Sequence, residues 1–352
     1  MVRVAINGMG RIGRATFKIA LDVPGLELVA YNDLLSPDNL AYLLKYDSVY
    51  GRYHKHVEVR ENALVVDDKE YLAFSEKDPV QLPWKELTID AVIESTGVFT
   101  SKEGMQKHLQ AGAKRVILSA PPKSGDIMTV VPGVTKMEET PQLLSCASCT
   151  TNCIAPVVEI MGRRIGISKA IMTTIHAYTS SQTIVDGPSK KWRRGRAAAI
   201  NLVPTSTGAG VATTKVLPQY EGKFDGVAVR APVPVGSISD IVFVTKRGTT
   251  VEEVNTTFRE EALSDRYRDI VGASEDPIVS SDIIQDSRAS IVDLTMTQVV
   301  DGNLVKVMSW YDNEWGYSAQ MIREVMRETE HMRNPEPADT DDDSSEMRRG
   351  HG

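Results

Sequence analysis

Val2-Arg3-Val4-Ala5-Ile6-Asn7-Gly8-Met9-Gly10-Arg11-Ile12-Gly13 opens the chain, and its reading decides the fold. The β-branched run at 2–6 predicts a strand, and 11–21 predicts a helix. Between them, Gly8, Gly10 and Gly13 stand at G-x-G-x-x-G spacing. Strand, glycine turn and helix in that order are the context that makes this spacing a dinucleotide-binding fingerprint. Asp33 follows at the end of a second predicted strand, 26–32. A carboxylate there accepts hydrogen bonds from adenosine ribose hydroxyls and repels a 2′-phosphate, which predicts NAD over NADP.

Outward from this stretch, strands and helices alternate, with a helix at 37–46, apolar runs at 91–94 and 116–119, and a helical pattern at 102–111. Alternation of this kind predicts parallel βαβ units in an open sheet. After residue 149 longer strands take over (169–178, 226–232, 238–245, 304–311), with helices near 207–217 and 251–264. The fold class is therefore α/β: a Rossmann-type dinucleotide-binding domain (1–148) and a second, α+β catalytic domain on a mixed sheet (149–315). A last helix, 316–328, carries Met321, Ile322, Val325 and Met326 on one face and completes the first domain. Residues 329–352 read as a disordered acidic tail. That tail holds seven carboxylates and three arginines, leaving about −3 of the net −7 for the body. Such a balance argues against nucleic acid as the main partner, and the basic run Lys190–Arg196 suits phosphate ligands or a subunit contact. No apolar run approaches a membrane span. The three cysteines (146, 149, 153) lie within eight residues, which excludes a disulfide framework and points to a reducing, cytoplasmic setting.

Ser148-Cys149-Thr150-Thr151-Asn152 surrounds one of these cysteines with hydroxyls and an amide, just before an apolar helical run. A buried structural thiol prefers apolar neighbours. A thiol at a helix start meets free N–H groups and a dipole that favour thiolate. Cys149 is the predicted nucleophile. His54, His56, His108, His331 and His351 stand in polar, surface-like segments. His176 lies in an apolar strand, as a core histidine or as the base for Cys149, and the nucleophile and dinucleotide site favour the second. A metal on Cys146, Cys149 and Cys153 lacks a second ligand pair, so none is expected. Thr205–Gly210 before a helix is either an N-cap or an anion site.

Together these segments resemble the phosphorylating glyceraldehyde-3-phosphate dehydrogenases. The likeness runs from residue 2 to about 328 through Asn32-Asp33, Tyr46-Asp47-Ser48, Glu94-Ser95-Thr96-Gly97, Ala147–Cys153, Pro204–Ala209 and Ser309–Tyr317. The resemblance implies attack of Cys149 on the aldehyde of glyceraldehyde 3-phosphate, with His176 as base, a thioester, and its cleavage by inorganic phosphate. It implies Thr179 and Arg230 at the substrate phosphate, and Ser148, Thr150, Arg194, Thr207 and Gly208 at the attacking one. For NAD it implies Gly8, Gly10, Arg11, Ile12, Gly13, Asp33, Lys77, Thr96, Ser119, Asn313 and Tyr317. It also implies a homotetramer. Gly187-Pro188 stands where many relatives have Leu-Pro, which opens a route to NADP; Cys146, Val233 and Val235 are further departures. Erythrose-4-phosphate dehydrogenase is the enzymatic alternative. An RNA- or partner-binding protein on an inactive fold is the non-enzymatic one.

Overall fold

The computed structural model describes residues 1–61, 63–124, 126–137 and 141–333, with side chains described to residue 327. In the first half, β1 (Val2–Asn7), α1 (Arg11–Ala20), β2 (Leu26–Asn32) and α2 (Pro37–Lys45) lead to a short hairpin, β3 (Tyr46–Asp47) and β4 (Gly51–Arg52). Then come β5 (Val57–Arg60), β6 (Ala63–Val66), β7 (Lys69–Phe74), β8 (Ala91–Glu94), α3 (Lys102–Gln110), β9 (Arg115–Leu118), β10 (Met128–Thr129) and β11 (Leu143–Ser145). They form a nine-stranded sheet ordered β10-β11-β9-β8-β1-β2-β7-β6-β5. Its strands pair in parallel from β10 through to β7. The antiparallel ribbon β5–β6–β7 at one edge is not foreshadowed by the alternation. The chain turns one way from β1 to β2 and later fills the other side with β8. Ligands of open α/β sheets bind in the crevice at such a switch, beyond the strands' carboxyl ends.

The second sheet is seven-stranded, ordered β13-β14-β12-β15-β18-β17-β16. Its elements are α4 (Cys149–Arg164), β12 (Ile167–Ala177), β13 (Val203–Ser206), α5 (Ala209–Val216), β14 (Phe224–Ala231), β15 (Ser237–Thr245), α6 (Val251–Leu263), β16 (Val271–Ser274), β17 (Ser290–Val300) and β18 (Leu304–Tyr311). Pairing is mixed, parallel for β12–β14 and β16–β17 and antiparallel elsewhere. Burial separates the two sheets physically. Strands β8 and β9 are buried at every residue, as a sheet covered on both faces requires. Strand β15 alternates buried and half-buried positions, the signature of one covered face.

Helix α7 (Trp315–Arg333) returns to the first sheet. Tyr317, Met321, Ile322 and Val325 join Val2, Val4, Phe17 and Leu28 in one core cluster. It runs five residues past the expected end, so 329–333 are helical and not tail; the rest of the expected acidic tail, 334–352, lies outside the described residues. A second correction concerns His108. Its polar sequence neighbours suggest the surface, yet it is fully buried. Helix α3 turns it inward with Met105, and the imidazole meets Trp84 and Glu94.

Candidate active site

The chain leaves β11 through a tight turn. Ala147 takes φ 55°, a left-handed conformation costing a residue with a Cβ about 1–2 kcal/mol. Two hydrogen bonds hold it there. The Ser145 Oγ accepts from Ala147 N at 3.0 Å, and the Tyr317 hydroxyl donates to Ala147 O at 3.2 Å. The turn delivers Ser148 as N-cap, its Oγ accepting from Thr151 N at 3.1 Å, and Cys149 as the first residue of α4. Backbone N–H groups of Cys149 and Thr150 and the Thr150 hydroxyl all bear on the Cys149 sulfur. Burial nonetheless pushes the thiol above its ordinary value, against the pull of the Arg230 charge. Desolvation outweighs the helix start here and opposes the thiolate that the polar sequence frame favours.

His176 stands on β12, and its Nε2 lies 3.4 Å from Cys149 Sγ. The parallel register of β12 and β14 pairs His176 with Arg230, which explains why these two meet. Burial, and then the Arg230 charge, push the imidazole down to about 3, so it is neutral at pH 7. Two contacts compete at Nδ1. The Ala177 carbonyl, 2.7 Å away, calls for a proton on Nδ1, whereas Arg230 Nη1 at 2.6 Å donates toward it. With the proton on Nδ1, Nε2 is an acceptor facing the thiol. Tyr311 packs edge-on against the ring with centroids 5.9 Å apart. No spacing in the sequence marks that tyrosine.

The predicted anion ligands fall into two groups. Arg230 is part-buried and directs its Nη1 toward His176 Nδ1 and the Ala177 carbonyl, and among the described residues no carboxylate pairs with it. Arg194 Nε donates to Thr205 Oγ1 at 3.1 Å and its Nη1 reaches Ser181 Oγ at 3.5 Å. Ser181 in turn contacts Thr179 Oγ1 at 2.9 Å. Arg194 thus ties the 179–181 segment to the 205–208 segment, and its charge also bears on His176 and Arg230. Helices α2, α3, α4 and α6 begin at Ser or Thr side chains that occupy an N-terminal N–H. Helix α5 begins at Gly208, which has no side chain to cap it, leaving the N–H groups beyond that of Ala209 for an anion. Thr207 Oγ1 accepts from Ala209 N at 3.1 Å. Two expected ligands are engaged internally. The Ser148 hydroxyl caps α4, and the Thr150 hydroxyl meets Tyr311 OH at 2.9 Å inside the core.

Of the expected cofactor residues, Gly8, Gly10, Asp33, Lys77 and Thr96 meet at the switch point of the first sheet. A cavity of about 360 Å³ is lined by Asn7, Gly8, Gly10, Asn32, Asp33, Lys77, Ser95 and Thr96, among others. The three glycines have different causes. Gly8 has φ 97°, and a Cβ there would lie 2.7 Å from Thr96 N. At Gly13 a Cβ would lie 1.9 Å from Gly8 O, so helix and loop could not close. Gly10 has neither constraint, since no protein atom stands within 4 Å of its Cβ position and its φ is −68°. Its missing side chain leaves room for a ligand, and α1 begins at Gly10 without a side-chain cap. These residues fit a dinucleotide. Asp33 is aimed by Met9 N (2.7 Å) and Leu35 N (2.9 Å). Asn313 Oδ1 accepts from Gly236 N and Ser237 Oγ, so its Nδ2 donors are what it offers a ligand. Tyr317 is committed to Ala147, and Ser119 follows β9 with its N–H on Glu94 O. Ile12 packs against the first core. The Arg11 guanidinium is taken by Glu314 and Asp47, with Nη1–Oδ2 at 2.6 Å. Burial opposes its charge, but those bonds outweigh it and raise its pKa. Arg11 therefore offers a ligand its backbone, while its side chain joins α1 to the segment after Asn313. Gly187 is not among the residues lining the Asp33 cavity, and a Cβ there would meet nothing closer than 3.6 Å. Among the described residues no His, Cys, Asp and Glu group could hold a metal.

With this geometry in place, residues 2–102 match the family described as glyceraldehyde 3-phosphate dehydrogenase, NAD binding domain, and residues 148–313 match its C-terminal domain. The chain belongs to the glyceraldehyde-3-phosphate dehydrogenase family. It is 51% identical over 326 residues to the glyceraldehyde-3-phosphate dehydrogenase of Thermotoga maritima, covering 92% of this chain and 97% of the relative. The Clostridium pasteurianum protein of that name is 48% identical over 330 residues, 92% and 97% of the two chains. That of Geobacillus stearothermophilus is 48% identical over 324, 91% and 96%. The family assignment makes the cavity-bearing half an NAD-binding domain. No helix among the described residues is long and apolar enough to cross a membrane.

Proposed function

We propose that this protein reversibly oxidises D-glyceraldehyde 3-phosphate to 1,3-bisphosphoglycerate with NAD and inorganic phosphate, a step usable in glycolysis and gluconeogenesis. The observation that carries the reading is Cys149 at the start of α4, 3.4 Å from His176 Nε2, with Arg230 beside the imidazole. A substrate phosphate draws the Arg230 guanidinium toward itself. Nδ1–H then rests on the Ala177 carbonyl, and Nε2 is free to take the thiol proton. The sulfur adds to the aldehyde carbon, the Cys149 N–H supports the developing oxyanion, and His176 returns its proton to that oxygen, giving the hemithioacetal and a neutral imidazole. His176 takes the hydroxyl proton as this adduct becomes the thioester. NAD, when bound, accepts the hydride released by that oxidation. Phosphate held near Arg194, Thr207 and Gly208 attacks the thioester carbonyl, giving the acyl phosphate and returning Cys149 as thiolate. General base assistance of this kind is worth about 10²–10⁴ in rate. Ser148 and Thr150 act through the helix start and the sulfur, with their hydroxyls engaged within the protein.

The same reading divides the chain into an NAD-binding domain (1–148, completed by α7) and a catalytic domain (149–315), assembled as a cytoplasmic homotetramer. Supporting assembly, the outer face of the second sheet leaves Ile171 62% and Val227 53% exposed. Initial rates with NAD and NADP, with and without phosphate, test the proposal. Phosphate-dependent reduction of NAD with glyceraldehyde 3-phosphate is expected. Faster, phosphate-independent turnover of erythrose 4-phosphate would overturn it, as would salt-resistant RNA binding without dehydrogenase activity. Asp33→Ala is expected to raise the NADP/NAD preference; an unchanged ratio would place ribose recognition elsewhere.

A further inference from the structure

Glu94 and His108 are both fully buried, and the reaction uses neither. They form the centre of a side-chain chain beneath the NAD cavity. The Trp84 indole N–H donates to His108 Nδ1 at 3.0 Å. An indole only donates, so Nδ1 is the acceptor and the proton sits on Nε2, facing Glu94 Oε2 at 3.1 Å. Asn7 Nδ2 donates to the same oxygen at 2.5 Å. The other oxygen, Oε1, accepts from Thr96 N at 2.8 Å and from the Thr96 hydroxyl. Asn7 Oδ1 accepts from Asn32 Nδ2 at 2.7 Å, and Asn32 exchanges two further bonds with the Glu76 backbone.

We propose that Glu94 and His108 are positioning residues for the dinucleotide, holding Thr96, Asn7 and Asn32 at the rim of its cavity. The parallel ladder of β1 and β8 ends at Asn7 and Glu94, so Thr96 lies beyond it and its N–H is held by a side chain. Thr96 N would be 2.7 Å from a Cβ on Gly8, so the glycine loop rests directly on the residue that Glu94 holds. Asn7, Asn32, Glu76 and Thr96 all line the cavity with Asp33. A core position filled only for packing would be served by an apolar side chain without the desolvation of a carboxylate. Four donors converging on Glu94 instead fix a polar anchor. The inference rests on this cavity being the dinucleotide site.

The test compares Glu94→Gln, His108→Leu and His108→Gln with the full-length parent protein by steady-state kinetics. Glu94→Gln and His108→Leu are expected to raise KM for NAD about tenfold, with kcat at saturating NAD within twofold. His108→Gln, which keeps a donor for Glu94, is expected to recover most of that loss. Loss of structure alone would lower the amount of active protein without this split. Nitrogen NMR of His108 is expected to read the Nε2–H tautomer. Asp33→Ala separates the two levels of the argument. A raised KM in Asp33→Ala beside unchanged values in Glu94→Gln and His108→Leu overturns the positioning role. An unchanged KM in Asp33→Ala overturns the site reading beneath it.

Discussion

Replacing Arg230 with glutamine removes the positive charge that faces Cys149 and His176. Arg230 Nη1 lies 2.6 Å from His176 Nδ1, and Nε2 lies 3.4 Å from Cys149 Sγ. Allowing for the width of the imidazole, the charge is at most about 8 Å from the sulfur, worth about 2 kcal/mol at an effective dielectric near 20. That corresponds to about 1.5 pH units. The Arg230 charge lowers the Cys149 pKa, so its loss raises it. The same loss relieves His176, which rises from about 3 while remaining the neutral partner near pH 7. Iodoacetamide alkylation of Cys149, followed by mass spectrometry across pH, reads the thiolate directly; Cys146 and Cys153 are buried and slow. Arg230→Gln is expected to move the midpoint up by about 1.5 pH units, and Arg230→Lys to move it far less. An unchanged or lower midpoint in Arg230→Gln would refute the electrostatic coupling drawn between these three residues.

Cys149→Ser is expected to abolish turnover while NAD still binds, measured by fluorescence titration; retained turnover would sink the nucleophile assignment. Gly10→Ala and Gly13→Ala separate ligand from fold. The first should leave the melting temperature within a few degrees and weaken NAD, since no protein atom is near its Cβ. The second should lower stability, because its Cβ meets Gly8 O at 1.9 Å; the reverse pattern would contradict the cavity reading. Burial holds the His176 pKa near 3 against an ordinary 6.5, so between those values the unfolded chain binds the extra proton. Its contribution is fully retained above pH 6.5 and is lost as pH falls toward 3, at up to about 1.4 kcal/mol per unit. Urea unfolding at pH 7, 5.5 and 4 should show a shallower acid loss for His176→Asn than for the parent, and parallel curves would argue against a neutral buried imidazole.

Much of the site was legible in the chain because its chemistry is local. Cys149 at a helix start follows from polar residues preceding an apolar helical run, and Gly8, Gly10 and Gly13 follow from a turn contained in six residues. His108 was misread for the opposite reason. His108 shares its inward face with Met105, three residues earlier, but a histidine among polar neighbours does not announce burial, and its partners Trp84 and Glu94 lie far along the chain. The Arg11 side chain carried no local sign that Asp47 and Glu314 would claim it. The Ser148 cap on α4 is a local feature of a serine before a helix, whereas the Thr150 contact with Tyr311 joins residues far apart in the chain.

The sequence by itself determined the α/β class, the dinucleotide loop and the family, and singled out Cys149 as the proposed nucleophile, since each rests on spacing within a short segment or on many such segments together. Only the tertiary structure decided what state those groups rest in. The Cys149 thiol is raised and the His176 imidazole is held neutral because the fold buries both and sets Arg230 alongside through the β12–β14 register. Desolvation and charge at a few ångströms depend on which distant strands are neighbours, and that information is absent from any single stretch of residues.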